Sequence, residues 1–174
     1  RTPNLMKLAE NGLTFTQHYA GNTVCAPSRA ALVTGMHSGH NQIRGNYELG
    51  DFTDEKEYGQ MPLLPGTTTL GTVMKDAGYH TALIGKWGLG GPDSFGVPTK
   101  QGFDYFFGYL DQKQAHNHYP THLWKNDKKF PLQNDWLHPH QSLPDGVDPN
   151  DPASYQEYIR EDYAQDRITK EALR

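Results

Sequence analysis

The stretch from Thr67 to Ile84 carries a helix and a strand in local signals alone. Thr67 to Thr69 offer N-caps, Leu70, Val73, Met74 and Ala77 stand at helical spacing, Gly78 closes the helix, and Tyr79 to Ile84 follows as a buried strand. A similar order stands near the start. Thr2 caps a helix with Pro3 at its first position, Leu5, Leu8 and Ala9 keep the helical spacing, and Asn11-Gly12 closes it. Leu13 to Tyr19 then alternates apolar and polar residues, is rich in β-formers, and reads as a strand. After a Gly21-Asn22-Thr23 loop, Pro27 and Ser28 suit the first turn of another helix, Ala30 to Val33 fill its body and Gly35 ends it. Helix, strand, helix, helix, strand predicts an α/β fold with a partly parallel sheet.

The rest of the chain is looser. With 18 glycines and 12 prolines among 174 residues and 35% hydrophobic residues, long loops over a modest core are expected. Met36 to Gly66 reads mostly as loop. Phe103, Tyr105, Phe106, Phe107 and Tyr109 form an aromatic cluster that fits a further strand. Residues 111–150 read as a loop-rich excursion over a surface, polar and interrupted by proline, rather than as a second core. Asp162 to Arg174 reads as a helix with Ile159, Tyr163, Ile168 and Ala172 near one face and an Arg167–Glu171 pair. Arg1 leads straight into a helix start and Arg174 ends a helix without a cap, so residues 1–174 are expected to be one segment of a larger domain, cut at both ends.

Charge narrows the function. Sixteen basic against twenty acidic side chains give a formal net charge of −4 with no block of like charge, which removes the basic footprint of a nucleic-acid partner. A membrane span is not expected either: apolar stretches such as Thr81 to Ile84 fall far short of the roughly 18 residues a crossing needs. The single cysteine, Cys25, forbids an internal disulfide and a cysteine-rich zinc site.

That cysteine opens the most informative run, Cys25-Ala26-Pro27-Ser28-Arg29-Ala30-Ala31-Leu32-Val33-Thr34-Gly35. With a helix beginning near Pro27, Cys25 lies just before its N-terminus, where unpaired N–H groups and the positive end of the dipole face an anion. Arg29, one turn on, can turn its forked donors toward the same position. These residues propose an anion-facing reactive thiol; the alternative is a buried cysteine acting as a small hydrophobe.

Cys25-Ala26-Pro27-Ser28-Arg29 resembles the signature of the type I sulfatases, in which Cys-X-Pro-Ser-Arg directs oxidation of the cysteine to formylglycine. Gly78-Tyr79-His80-Thr81-Ala82-Leu83-Ile84-Gly85-Lys86-Trp87-Gly88-Leu89-Gly90 is similar to the family's second signature, in the same order and at a fitting distance. Thr2-Pro3-Asn4-Leu5, Gly12-Leu13-Thr14-Phe15 and Glu171-Ala172-Leu173 extend the resemblance over nearly the whole chain. It implies an alkaline-phosphatase-like fold, a mixed sheet flanked by helices, of which this chain holds part.

The resemblance also implies a mechanism. The aldehyde hydrates to a geminal diol, one hydroxyl attacks sulfur as the alcohol departs, and the second hydroxyl expels sulfate from the covalent ester, where a serine sulfate would stall. A divalent cation, calcium in most of the family, lowers the attacking hydroxyl's pKa and holds sulfate oxygens. Cys25 corresponds to the modified nucleophile and, once converted, to a metal ligand; the other ligands are expected outside this chain, so the segment alone is expected to be inactive. Arg29 corresponds to the arginine that orients the diol. Lys86 corresponds to a lysine on sulfate oxygens, a donor whose loss can cost about 3–4 kcal/mol of transition-state stabilisation. It follows a buried strand, where ligand sites collect.

One position departs from the pattern: Gly88 stands where the second signature usually carries a histidine. His116, in Gln114-Ala115-His116-Asn117, falls where the family places another active-site histidine and is the candidate for binding sulfate or protonating the leaving oxygen; His118 and His37 compete with it. His116, His118, His122, His138 and His140 have no helical ligand-pair spacing, so zinc is not expected. Gly78 to Lys86 fails as a P-loop, and Gly88-Leu89-Gly90 lacks the third glycine of a dinucleotide fingerprint; those glycines are expected to let backbone approach a bound anion.

The expected partners are a sulfate-ester small molecule or sulfated carbohydrate, with Tyr119, Trp124 and Trp136 available to stack on sugar rings, and a formylglycine-generating maturation enzyme. By resemblance the location is periplasmic or extracellular. Two alternatives stand beside this reading. One is a phosphonate or phosphate ester hydrolase of the same superfamily, and the other a non-catalytic fragment whose Cys25 stays a thiol.

Overall fold

The computed structural model describes residues 2–174. Four helices, α1 (Pro3–Glu10), α2 (Cys25–Thr34), α3 (Leu70–Asp76) and α4 (Ala164–Ala172), surround strands β1 (Ala82–Lys86), β2 (Tyr105–Tyr109), β3 (His122–Lys125) and β4 (Lys128–Pro131). The strands form one mixed sheet in the order β1-β2-β3-β4. β1 and β2 run parallel, with Lys86 opposite Tyr109, while β3 and β4 are antiparallel additions. No helix among the described residues is long and apolar enough to cross a membrane.

The core follows from the aromatic run of β2. Successive side chains point to opposite faces of a strand, so Phe106 joins a cluster with Ala26, Ala30, Trp87, Leu89 and Leu110, while Phe107 joins one with Tyr109, Leu123, Leu132 and Ala164. β2 is therefore buried on both faces, and burying a Phe of this kind contributes about 1.5–3 kcal/mol. Its Gly108 cannot be replaced: at φ 152°, an added Cβ would lie 1.9 Å from the Gly85 carbonyl oxygen of β1.

Several expectations are corrected. Leu13 to Tyr19 forms no strand; the segment is irregular and exposed, because no neighbouring strand among the described residues offers its backbone hydrogen bonds. The strand expected at Tyr79 to Ile84 begins at Ala82 and runs to Lys86, since Tyr79 completes the helix exit by donating its N–H to Met74 O at 3.0 Å. α3 does start at the Thr69 cap, in a capping box with Thr72, yet Leu70 and Val73 face solvent. It packs instead through Gly71, where a Cβ would meet Gln101 O at 2.8 Å. The excursion at 111–150 contains the β3–β4 hairpin, turned at Asn126 with φ 54°. Arg167 pairs with Asp162 rather than Glu171, which is engaged by Lys125, Arg174 and the Tyr105 hydroxyl.

Candidate active site

The first turn of α2 carries the centre of the site. A helix start leaves backbone N–H groups without intrahelical partners, and the N-cap Val24 has no side-chain acceptor to offer. Asn46 takes that part from a distant loop: its Oδ1 accepts from the Ala26 N–H at 2.9 Å, and its side chain helps to lower the Cys25 thiol. Cys25 is the first residue of the helix, not the one before it, and is half-buried.

One turn on, the Arg29 guanidinium donates from Nη1 to the backbone carbonyl of Lys86 at 2.5 Å. The same side chain keeps Nε buried without a partner among the described residues. Lys86 is the last residue of β1, and its ammonium is near enough for its charge to act on the Cys25 thiol. Burial by itself would push that thiol up; the charge and hydrogen bond of Lys86, then Asn46 and Arg29, outweigh it and hold the thiol below its ordinary value.

His116 ends the short 3₁₀ turn Gln114–His116 that follows β2. Burial, then the Lys86 charge, then His140 hold its imidazole below the usual range. His116 Nδ1 lies 2.6 Å from His140 Nε2, with the rings stacked at 4.8 Å between centroids. Lys86, at the C-terminal end of β1, thus links the candidates: Arg29 is bonded to its carbonyl, and its charge acts on both Cys25 and His116. Ligand sites of open α/β sheets lie at such strand ends.

The remaining candidates fall elsewhere. His118 is exposed and stacks on Tyr163 at 5.9 Å; His37 bonds the Gly39 N–H at 3.0 Å in an exposed turn. His122 is buried between Glu57, at 3.2 Å, and Asp54, at 3.7 Å, where it fastens the loop before α3 to β3. Trp124 is buried too, its indole N–H donating to Glu57, so its ring is not free as a sugar platform, while Trp136 packs on Phe52 and stays 40% exposed.

Gly88 has a specific neighbour. At φ 79° it packs against the Gln112 side chain, and a Cβ at 88 would lie 2.5 Å from Gln112 Cγ. Gln112 is 4% exposed, and neither polar atom of its carboxamide has a partner among the described residues. Gly90 packs likewise on Ser94 and Gly96. These glycines are buried and admit the protein's own chain at their Cα atoms.

Among the described residues no group of three or more His, Cys, Asp or Glu side chains could hold a metal ion. The neighbours of Cys25 are the cations Arg29 and Lys86 and the amide of Asn46, so the described residues do not by themselves complete a calcium site.

Asn46, His140 and Gln112 belong to this neighbourhood and were not legible beforehand. Asn46 follows Arg44-Gly45, an ordinary turn signal; His140 lies in a Pro-flanked run; Gln112 has no motif. Only the Gly88 departure pointed near Gln112.

The family model described as Sulfatase matches residues 1–173. Arylsulfatase G of Rattus norvegicus is 41% identical over 107 residues, covering 62% of this chain and 19% of its own length. Steryl-sulfatase of Homo sapiens is 39% identical over 113 residues, with 62% and 19% covered. The chain therefore spans about a fifth of the length of these curated relatives. Among solved structures, a Bacteroides thetaiotaomicron protein of glycosaminoglycan metabolism matches with a TM-score of 0.58 at 27% identity, over 87% of this chain and 28% of that one. Another, solved with its substrate D-glucosamine-2-N,6-O-disulfate, matches with a TM-score of 0.54 at 27% identity, over 75% of this chain and 22% of that one. The α/β arrangement agrees with the alkaline-phosphatase-like architecture of these neighbours.

Proposed function

The chain belongs to the sulfatase family, and from that premise we propose that it is the nucleophile-bearing segment of a sulfate-ester hydrolase that acts through Cys25 after oxidation to formylglycine. The observation that carries this reading is the convergence of the Lys86 ammonium, the Arg29 guanidinium and the α2 N-terminus on one half-buried Cys25.

Formylglycine, when formed, supplies a hydrated aldehyde in place of the thiol. Around it the chain's own residues do separate work. Arg29, fixed by the Lys86 carbonyl, presents a planar cation to the reacting position. Lys86 stabilises negative charge that grows on sulfate oxygens, in a setting where donors aimed beforehand count most. His116, whose imidazole is held below its usual range by burial and by the Lys86 charge, has Nδ1 engaged by His140, which leaves Nε2 as the ring atom that would hydrogen-bond the departing oxygen. Asn46 holds the first turn of α2, and with it the direction of the Cys25 side chain.

Calcium enters this reading only from the family resemblance. This chain would supply Cys25 as one ligand, and no step is assigned to the ion. The reading includes a maturation enzyme that recognises the Cys25–Arg29 run, a sulfate-ester or sulfated-carbohydrate substrate, and a periplasmic or extracellular location.

The test is the full-length protein produced together with a formylglycine-generating enzyme. Intact mass is expected to show Cys25 converted, losing sulfur and two hydrogens and gaining oxygen, and 4-nitrophenyl sulfate is expected to be hydrolysed faster than 4-nitrophenyl phosphate. Faster phosphate-ester turnover would turn the assignment toward a phosphoesterase of the same architecture, and an inert, unconverted thiol would overturn it.

A further inference from the structure

Residues 47–61, between α2 and α3, fold back on themselves as a short antiparallel ribbon. The Met61 N–H donates to Tyr47 O at 2.7 Å, the Leu49 N–H to Gly59 O at 3.0 Å and the Thr53 N–H to Lys56 O at 2.9 Å, with Glu48 opposite Gln60 and Phe52 opposite Glu57. Asn46, which holds the first turn of α2 at the Ala26 N–H, directly precedes this ribbon.

The same ribbon holds the turn that carries His116. Sheet-like bonding between the continuations of β1 and β2 ends with the Trp87 N–H on Tyr109 O at 2.8 Å and the Gly88 N–H on Leu110 O at 3.0 Å. From Asp111 onward the backbone N–H groups need other partners. Glu57 Oε1 accepts from the Asp111 N–H at 3.2 Å and Gln60 Oε1 from the Gln112 N–H at 3.0 Å. The Asp111 carboxylate takes the next two through Oδ1, those of Lys113 at 2.6 Å and Gln114 at 3.3 Å, while Gln60 Nε2 donates to its Oδ2 at 3.4 Å. The turn then closes on its own carbonyls, Ala115 N–H on Asp111 O at 3.3 Å and His116 N–H on Lys113 O at 3.0 Å.

Gln60 therefore stands at the root of the His116 turn, bonded both to its backbone and to the carboxylate that caps it. The side chain is fully buried, and its carbonyl and amide ends are both engaged there. Further out, Lys113 ties the turn to the ribbon again through ion pairs with Glu48 and Asp51, both at 2.8 Å. Asn46 and Glu48, the residue opposite Gln60, are two positions apart, about 7 Å of extended chain. One short paired element thus grips the helix start that bears Cys25 and the turn that bears His116.

We propose that Gln60 is a positioning residue for His116, acting through Asp111 and Gln112, and that the ribbon sets where this histidine stands relative to Cys25. This rests on the sulfate-ester reading above and adds to it the buried side chain that aims the leaving-group histidine. A misplaced His116 costs most where the departing oxygen carries most negative charge, because a hydrogen bond to that oxygen strengthens as the charge develops in the transition state.

The experiment uses the full-length, formylglycine-bearing enzyme and compares phenyl sulfate, whose leaving oxygen is strongly basic, with 4-nitrophenyl sulfate, whose leaving group needs little help. His116→Ala is the reference and is expected to lower kcat/KM for phenyl sulfate at least about tenfold beyond its effect on the nitrophenyl ester. Gln60→Met, which keeps the length and removes both hydrogen bonds, is expected to lower the phenyl to nitrophenyl ratio about fivefold, through kcat, with KM held within about twofold. Added to His116→Ala, Gln60→Met is expected to lower the ratio no further, since the two act as one unit. Lys113→Met, at a half-buried position outside the core, is expected to lower the ratio about twofold and tests the same turn if Gln60→Met does not fold. A ratio unchanged in Gln60→Met, or in Lys113→Met where that variant has to decide, would overturn the proposal. So would a fall that persists in full in the His116→Ala background, the mark of a merely structural role. If His116→Ala itself leaves the ratio unchanged, the leaving-group role of His116 fails and the proposal with it. If fully converted parent enzyme turns over neither ester, it is the sulfatase reading that fails, and the proposal falls with that reading before any variant is made.

Discussion

The guanidinium of Arg29 donates to the main-chain carbonyl of Lys86 at 2.5 Å, joining the first turn of α2 to the last residue of β1. Two residues that carry charge to the same site are therefore fixed to one another through backbone, and the bond is half-buried. Charge-assisted hydrogen bonds of this kind contribute about 1.5–3 kcal/mol. Arg29→Ala is expected to lower unfolding stability by about that amount in urea titrations of the full-length protein. Arg29→Lys, with a shorter reach and no fork, is expected to recover less than half of it.

The Cys25 thiol, before any oxidation, is expected to behave as an acidic thiol. Its value is lowered because Lys86, Asn46 and Arg29 outweigh burial, so the thiolate fraction rises at a lower pH than in a free cysteine, whose pKa is about 8.5. The rate of alkylation by iodoacetamide against pH should have its midpoint below that of glutathione measured alongside. Lys86→Met removes the strongest stabiliser of the thiolate and should move the midpoint upward.

Gly88→Ala is expected to destabilise the protein for two separable reasons. Its φ of 79° is left-handed, costing an L-residue about 1–2 kcal/mol. The new Cβ also falls 2.5 Å from Gln112 Cγ. Adding Gln112→Ala should relieve the overlap and not the backbone term, so the double variant is expected to be more stable than Gly88→Ala and less stable than the parent. Thermal unfolding of the parent and the two variants checks this.

Acid stability depends on Asp104. The Lys75 ammonium first, then the N–H and hydroxyl of Thr81, lower its carboxyl to about 2. A carboxylate depressed in the folded state stabilises at pH above its unfolded value of about 4 and loses that contribution as the pH falls through the folded value. Asp104→Asn should therefore lower the melting temperature near neutral pH and flatten its decline between about pH 4 and 2, as read by circular dichroism.

Much of the fold was readable where a residue acts on its near neighbours. Thr69 caps α3, Gly35 closes α2 in the left-handed conformation at φ 69°, and the aromatic run at 105–109 becomes a strand. Leu13 to Tyr19 misled because alternation describes a strand only when another strand accepts its hydrogen bonds, and none does so here among the described residues. Trp124 misled because an aromatic in a polar run can turn inward when a carboxylate, here Glu57, is waiting for its N–H. The Asn126-Asp127 turn of the β3–β4 hairpin was a readable signal that the polar character of its surroundings concealed.

The amino-acid sequence by itself determined which groups this protein brings to chemistry: a single cysteine at a helix start, an arginine one turn along, and a lysine at the end of a strand. Those relations are short-range, set by helical periodicity and by the alternation of a strand. Only the tertiary structure decided that Lys86 reaches Cys25, that Asn46 closes the α2 N-terminus, and that Gln112 occupies the space beside Gly88. Such contacts depend on the parallel register of β1 with β2 and on loops that satisfy buried polar groups wherever a partner comes within reach. Local spacing carries no record of either.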